Sequence, residues 1–213
     1  MKVFGSPISP FVRKVLAFAA DKGLEIELKP GGMGQGGDEF KAASPFGKMP
    51  GFSDGDFTLA DSSAIVHYID TAYPEKSLIP SEAKARGRTV WFDEVADTIL
   101  MVAGGKVFFN RIVSPRFMKI PGDETLAAQG EAELPAMFDY LETALPASGH
   151  FVEDRLTLAD ISIATVFVNL DHLGIAPDAA RQPKLTAFVT AMHARPSFAK
   201  WIVVERGILA KVA

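Results

Sequence analysis

The rhythm of apolar and polar positions changes near residue 80. Before that point, strand-like and helix-like stretches alternate. Lys2–Phe4 reads as a short strand. Pro10–Lys22 carries Val12, Val15, Leu16, Ala19 and Ala20 at the spacing of one helix face. Gly23 closes that helix, and Leu24-Glu25-Ile26-Glu27-Leu28 alternates as a strand. Five of residues 31–37 are glycine, which predicts a flexible loop ahead of a short helix over Asp38–Ala43. Met49–Phe52 and Phe57–Leu59 bracket Asp54-Gly55-Asp56, a hairpin signal. Helical spacing returns over Ser62–Ala72 through Ile65, Tyr68 and Ile69. This βαβ-then-ββα order predicts a compact α/β domain over residues 1–78.

Leu78-Ile79-Pro80-Ser81 reads as a linker ending in a helix N-cap, and residues 82–213 are predicted to be all-helical. Ala83–Phe109 and Thr125–Leu145 are long periodic stretches, separated by a loop that holds Ser114, Pro115, Pro121 and Gly122. Pro135 lies inside the second stretch, where a ring without an N–H kinks a helix. Thr157-Leu158-Ala159-Asp160 forms a capping box with Asp in the Glu position, and Leu156 and Ile161 suit the hydrophobic staple. Pro183–Ala194 and Ser197–Lys211 are the last two predicted helices. There is no internal repeat or low-complexity tract.

Composition narrows the function classes. The chain has 213 residues, a formal charge of −4, 23% charged and 48% hydrophobic residues, the profile of a globular protein with ample core. Its Lys and Arg residues are scattered, so no nucleic-acid partner is expected. There is no cysteine, which excludes disulfides, thiolate metal sites and cysteine nucleophiles. His67, His150, His172 and His193 lack metal-ligand spacing, so no metal is expected. Met1-Lys2-Val3-Phe4-Gly5 reads as a strand rather than a leader, and no apolar run is long enough to span a bilayer; the expected location is the cytoplasm, with no membrane partner. Asp160 reads as a structural cap rather than an acid, and Trp91 and Trp201 as core or interface anchors.

Two segments near the start carry candidate chemistry. In Gly5-Ser6-Pro7-Ile8-Ser9-Pro10-Phe11-Val12-Arg13-Lys14-Val15, a strand, a tight loop and a helix start follow one another, with Ser9 then Pro10 fitting N-cap then N1. In Ser44-Pro45-Phe46-Gly47-Lys48-Met49-Pro50-Gly51-Phe52, a proline stands at the mouth of a strand leading to Asp61-Ser62-Ser63. A cis bond at Met49-Pro50 is expected; before it, the backbone of Met49 can turn outward to pair with a peptide-like ligand. Together the segments suggest a site for a small peptide thiol, with a hydroxyl aimed at its sulfur. A free thiol of pKa ~8.5 is mostly protonated at neutral pH. A donated hydrogen bond at the positive end of a helix lowers that value. Ser9 has two readings, cap and catalyst; as a cap its oxygen accepts from backbone N–H, while its O–H remains free to donate. Arg13, one turn on, either adds positive potential or sits in solvent or an ion pair.

Taken in order, Ser9-Pro10-Phe11-Val12-Arg13-Lys14-Val15, Phe46-Gly47-Lys48-Met49-Pro50, Asp61-Ser62-x-Ala64-Ile65-x-x-Tyr68-Ile69, Thr157-Leu158-Ala159-Asp160 and Arg195-Pro196-Ser197-Phe198 resemble the cytosolic glutathione S-transferases over essentially the full chain. The resemblance is to serine-type, theta- or zeta-like bacterial members. It implies a thioredoxin-like N-terminal glutathione-binding domain, an all-helical C-terminal domain and a homodimer, with glutathione as co-substrate and a small electrophile as the second substrate. It places the catalytic role on Ser9 and glutathione contacts on Phe11, Gln35, Lys48, Met49, Pro50, Asp61 and Ser62. Many relatives grip the glycyl carboxylate with a His or Lys within 31–41; here Gly31-Gly32-Met33-Gly34-Gln35-Gly36-Gly37 offers only Gln35, with Lys41 further along and Lys48 as an alternative source of charge. The apolar substrate pocket is assigned to Phe11, Phe109, Arg111 and Phe117. The alternatives are a zeta-like isomerase acting on a maleyl-type dicarboxylate, for which Arg111 and Arg116 supply basic residues, a reductive or ether-cleaving transferase, and a non-catalytic binding protein of the same fold.

Overall fold

In the computed structural model, which describes residues 1–212, β1 (Lys2–Phe4) pairs in parallel with β2 (Glu27–Lys29) and antiparallel with β3 (Gly51–Asp54), which pairs antiparallel with β4 (Phe57–Ala60). A parallel pair needs a crossover, and α1 (Pro10–Lys22) supplies it. Helix α1 starts and stops where the pattern predicts, with Ser9 as N-cap, Pro10 in its first turn and Gly23 at φ 83° as C-cap. Only the end of the predicted 24–28 alternation joins the sheet, because the Leu24 N–H turns back to the Ala19 carbonyl. Strand β3 likewise begins later than expected, since Pro50 has no N–H for a ladder. Helix α2 (Gly37–Ala43) precedes β3, and α3 (Ser62–Ala72) follows β4.

The helical half departs from the sequence reading in one region. Its first helix, α4 (Ala83–Glu94), is capped by the carboxylate of Glu82, not by Ser81; the Ala85 N–H donates to it at 2.8 Å. α4 continues through a π-helical stretch (Val95–Leu100), α5 (Met101–Phe108) and a second π-helical stretch (Phe109–Met118). One helical rod therefore runs past the expected end at Phe109 and carries Pro115 inside it. Proline lacks an N–H and crowds the carbonyl one turn back, and the wider i→i+5 turn gives it room. The loop shrinks to residues 119–123. There a Cβ on Gly122 would fall 1.8 Å from the Asn110 carbonyl oxygen, so only glycine fits.

Helices α6 (Glu124–Ala144), α7 (Leu158–Asp171), α8 (Pro183–Ala194) and α9 (Pro196–Lys211) complete the chain, with Pro135 on the exposed side of α6. Helix α7 is buried from Leu158 to Leu170. Its capping box forms as expected: the Thr157 N–H donates to Asp160 Oδ2 and the Phe151 N–H to Oδ1, each at 2.8 Å, so Asp160 is an anchor.

One main core joins the two halves, from Val3, Phe52 and Ile65 to Phe92, Phe138, Phe167 and Phe198. Two buried cations of α1 reinforce it: Arg13 pairs with Glu205 of α9, and Lys14 pairs with Asp93 of α4 and Asp97 just beyond it. Trp201 packs against this core, whereas Trp91 is 51% exposed and donates to the Tyr140 hydroxyl. No helix among the described residues is long and apolar enough to cross a membrane.

Candidate active site

Two adjoining clefts open where the sheet faces the helical rod. The larger, of ≈520 Å³, has Ser9, Phe11 and Met49 on one side and the apolar face of the rod on the other. The smaller, of ≈440 Å³, lies between the Met49-Pro50 turn and the start of α3. Phe11, Lys48 and Met49 line both, so one ligand can extend across the boundary.

Ser9 is half-buried in the wall of the larger cleft. As N-cap it accepts from the Val12 N–H at 3.5 Å, a long bond that leaves its O–H without an acceptor among the described residues. The first turn of α1 contributes the Phe11 N–H, which has no acceptor among the described residues, and the positive end of the helix at the same point. A thiol lying against this wall meets a hydroxyl donor and a field that both favour its anion.

The smaller cleft presents several polar groups that have no partner among the described residues. Met49-Pro50 is cis, as the sequence predicted, and no group among the described residues bonds the Met49 N–H or C=O. Asp61, at φ 79°, caps α3 through the Ala64 N–H at 3.0 Å, and no donor among the described residues reaches its other oxygen. Ser62 is buried in the cleft wall, and its hydroxyl has no partner among the described residues. A hydroxyl and first-turn N–H groups suit a carboxylate, while an acidic side chain suits an ammonium.

Behind Ser62, Ser63 donates to Asp93 at 2.7 Å, and Lys14 bridges Asp93 at 2.8 Å and Asp97 at 2.6 Å. Burial alone would lower the Lys14 pKa, but the two carboxylates outweigh it and hold the ammonium above its usual value. Burial acts against the Asp93 carboxylate too, yet Lys14 and the hydroxyls of Ser162 and Ser63 keep it below the usual range. Asp97 is pushed up, first by burial and then by Asp93. Asp93 is thus the firm partner of Lys14.

Not every expected residue reaches the site. Gln35 is exposed in the glycine-rich turn and lines neither cleft, because its N–H closes a tight turn onto Gly32. Arg111 also lies outside both; Glu124 and Glu131 across the loop hold its guanidinium. Arg13 faces away from the clefts, fully buried against Glu205. Phe109 and Phe117 do line the larger cleft. Sequence reasoning passed over Met33, Met101, Gly105 and Val113 of that wall, and Phe46 of the smaller cleft. The last four-residue spacing, 101–105–109–113–117, was visible but does not match a helical period of 3.6.

Comparison with known proteins gives a consistent picture. Residues 3–77 match the family profile of the glutathione S-transferase N-terminal domain, and residues 117–204 that of the C-terminal domain. A glutathione S-transferase of Hyoscyamus muticus is 31% identical over 209 residues, covering 95% of this chain and 97% of that protein. Glutathione S-transferase F7 of Arabidopsis thaliana is 30% identical, covering 94% and 98%. Among solved structures, glutathione transferase F7 of Populus trichocarpa superposes with a TM-score of 0.79 at 26% identity, covering 94% of this chain and 96% of that one.

Proposed function

Since the chain belongs to the glutathione S-transferase family, we propose that it conjugates glutathione, as the thiolate, to small and largely apolar electrophiles, with Ser9 as the hydrogen-bond donor to sulfur. The observation that carries this reading is the position of Ser9: it lines the larger, apolar cleft with no acceptor for its O–H among the described residues, beside Phe11, Lys48 and Met49, which that cleft shares with the smaller one. The γ-glutamyl end lies against Asp61 and Ser62, the cysteinyl unit pairs with the main chain of Met49 beside Pro50, and Phe11 flanks both substrates. Lys48 takes the glycyl carboxylate in place of Gln35. The thiol gives its proton to solvent, the sulfur attacks the electrophilic carbon, and the displaced electron pair leaves with the leaving group or enters a conjugated acceptor.

The isomerase reading is weaker, because Lys48 is the only Lys or Arg in the described lining of the two clefts, whereas a dicarboxylate calls for several. We read the chain as a serine-type member resembling the theta and zeta classes. Its domains are residues 1–78 and 82–213, it works in the cytoplasm, and it forms a homodimer through the N-terminal domain of one copy and the helical domain of the other.

Ser9→Ala tests the central claim. It should leave glutathione binding nearly intact, raise the pKa of the bound thiol towards the free value and lower turnover at neutral pH by ~10²–10³. Part of the rate should return at alkaline pH, where the thiolate forms unaided. Capping alone predicts a different result, about 1 kcal/mol of lost stability with activity kept. An unchanged thiol pKa in a pH–rate profile would leave Ser9 as a cap. A chain that does not bind glutathione at all would be a binding protein of the same fold.

A further inference from the structure

The carbonyls of the residues on either side of Ser9 are held from behind by one face of the buried helix α7. Thr165 Oγ1 donates to the Pro10 carbonyl at 2.8 Å, and Asn169 Nδ2 donates to the Ile8 carbonyl at 3.1 Å. Four residues separate Thr165 and Asn169, so they share a helix face. Behind them stands Arg13, whose Nη1 and Nη2 both donate to Asn169 Oδ1 at 3.0 Å. A guanidinium accepts nothing, so it fixes which end of the Asn169 amide it faces and leaves the NH₂ for Ile8. Glu205 in turn grips Arg13, from Nε to Oε1 and from Nη2 to Oε2, each at 2.7 Å, and lies 2.8 Å from His172 Nε2. Arg13, Glu205, Thr165 and Asn169 are all buried.

A buried ion pair is weak evidence of net stabilisation, because well-packed apolar side chains of similar volume often do as well. Here the charges end on two carbonyls that bracket one hydroxyl. The proline ring fixes φ at residue 10, Asn169 fixes the Ile8–Ser9 peptide, and the Ser9 N–H is tied to the Ser6 carbonyl at 3.0 Å. The Ser9 carbonyl accepts from the Arg13 N–H at 3.0 Å, so the main freedom left at Ser9 is χ1.

We infer that Asn169 and Thr165, oriented by Arg13 and Glu205, are positioning residues that aim the Ser9 hydroxyl at the reacting sulfur. The last helix of the chain thereby supports a site formed at its first. The inference rests on the reading of Ser9 as donor, and its test separates the two. Asn169→Asp keeps an acceptor for Arg13 but turns an oxygen towards the Ile8 carbonyl; Thr165→Val removes the donor to Pro10 at nearly constant volume. Each should raise the bound thiol's pKa, lower kcat at pH 7 by ~10-fold, and leave KM for glutathione within about twofold, since sub-ångström misplacement acts on the reacting step. Thr165→Ser, which keeps the donor, should restore the wild-type profile.

In a Ser9→Ala background, Asn169→Asp and Thr165→Val should shift the thiol pKa no further, the non-additivity expected of groups acting through one atom. If Ser9→Ala moves the thiol pKa and the other two only lower the melting temperature, the positioning role is wrong and the reading of Ser9 stands. If Ser9→Ala does not move it, both fall. Should Asn169→Asp fail to fold, Thr165→Val and its serine control decide the matter.

Discussion

Lys48 stands where the two clefts meet, and no carboxylate among the described residues pairs with its ammonium. Lys41, by contrast, lies 3.5 Å from Asp38 on the surface. Lys48→Ala should therefore raise KM for glutathione ~3–10-fold with little change in kcat, the scale of one exposed charge-assisted contact. Wild-type KM should rise with added salt and the variant's should not, because screening acts on the charge that was removed. Gln35→Ala should leave both constants unchanged; if it raises KM while Lys48→Ala does not, the carboxylate is held elsewhere. At this scale the sequence was informative where a residue's role is local. Ser9, Pro10 and Gly23 declare a helix start and stop by type alone. Arg13 was ambiguous, because its partner Glu205 lies 192 residues away and no local pattern announces it. The polar residues Thr165 and Asn169, in the long apolar run of α7, were the available signal for that cluster.

The rod from Ala83 to Met118 shows why helix boundaries were the less legible part of the fold. Met101, Gly105, Phe109, Val113 and Phe117 all line the larger cleft, at steps of four. In an α-helix each such step overshoots a full turn by about 40°, so a stripe of this length would wander off the face. The π-helical turns unwind the rod and bring the stripe back, so the cleft wall depends on the departure from α geometry. A search for a 3.6 period loses the pattern after Phe109, and Pro115 reads as a breaker. Gly105 is the gap in the stripe; a Cβ there would meet only Met101 Cε, at 3.0 Å, the mobile end of a flexible side chain. Gly105→Leu should therefore fold and gain about 0.5–1 kcal/mol from helix propensity. It should also cut kcat/KM for bulky electrophiles by ~10-fold or more, with small ones and the glutathione KM spared. Gains in thermal stability alongside equal losses for small and large electrophiles would mean that Gly105 does not shape the cleft.

At the scale of the whole molecule, two apolar surfaces lack a partner among the described residues. Phe46, on the turn before Lys48, is 91% exposed. On the helical half, a cleft of ≈510 Å³ between the rod and α6 is lined by Trp91, Val95, Ile99, Met137 and Tyr140. Soluble monomers rarely leave such features open. A twofold dimer closes both at once if Phe46 of each copy enters the partner's cleft, since an isologous contact is made twice. Each buried phenyl ring contributes about 1.5–3 kcal/mol relative to exposure, so losing both should separate the subunits at micromolar concentration. Phe46→Ser should sediment as a monomer where wild type sediments as a dimer, and the emission of Trp91 should move to the red as its cleft fills with water. Phe46 also lines the smaller cleft, so the variant should show a raised KM for glutathione even when diluted wild type does not. A monomeric wild type would remove the dimer altogether. A dimer that survives Phe46→Ser, with Trp91 emission unmoved, would show that the subunits meet through a different face and leave Phe46 to the ligand alone.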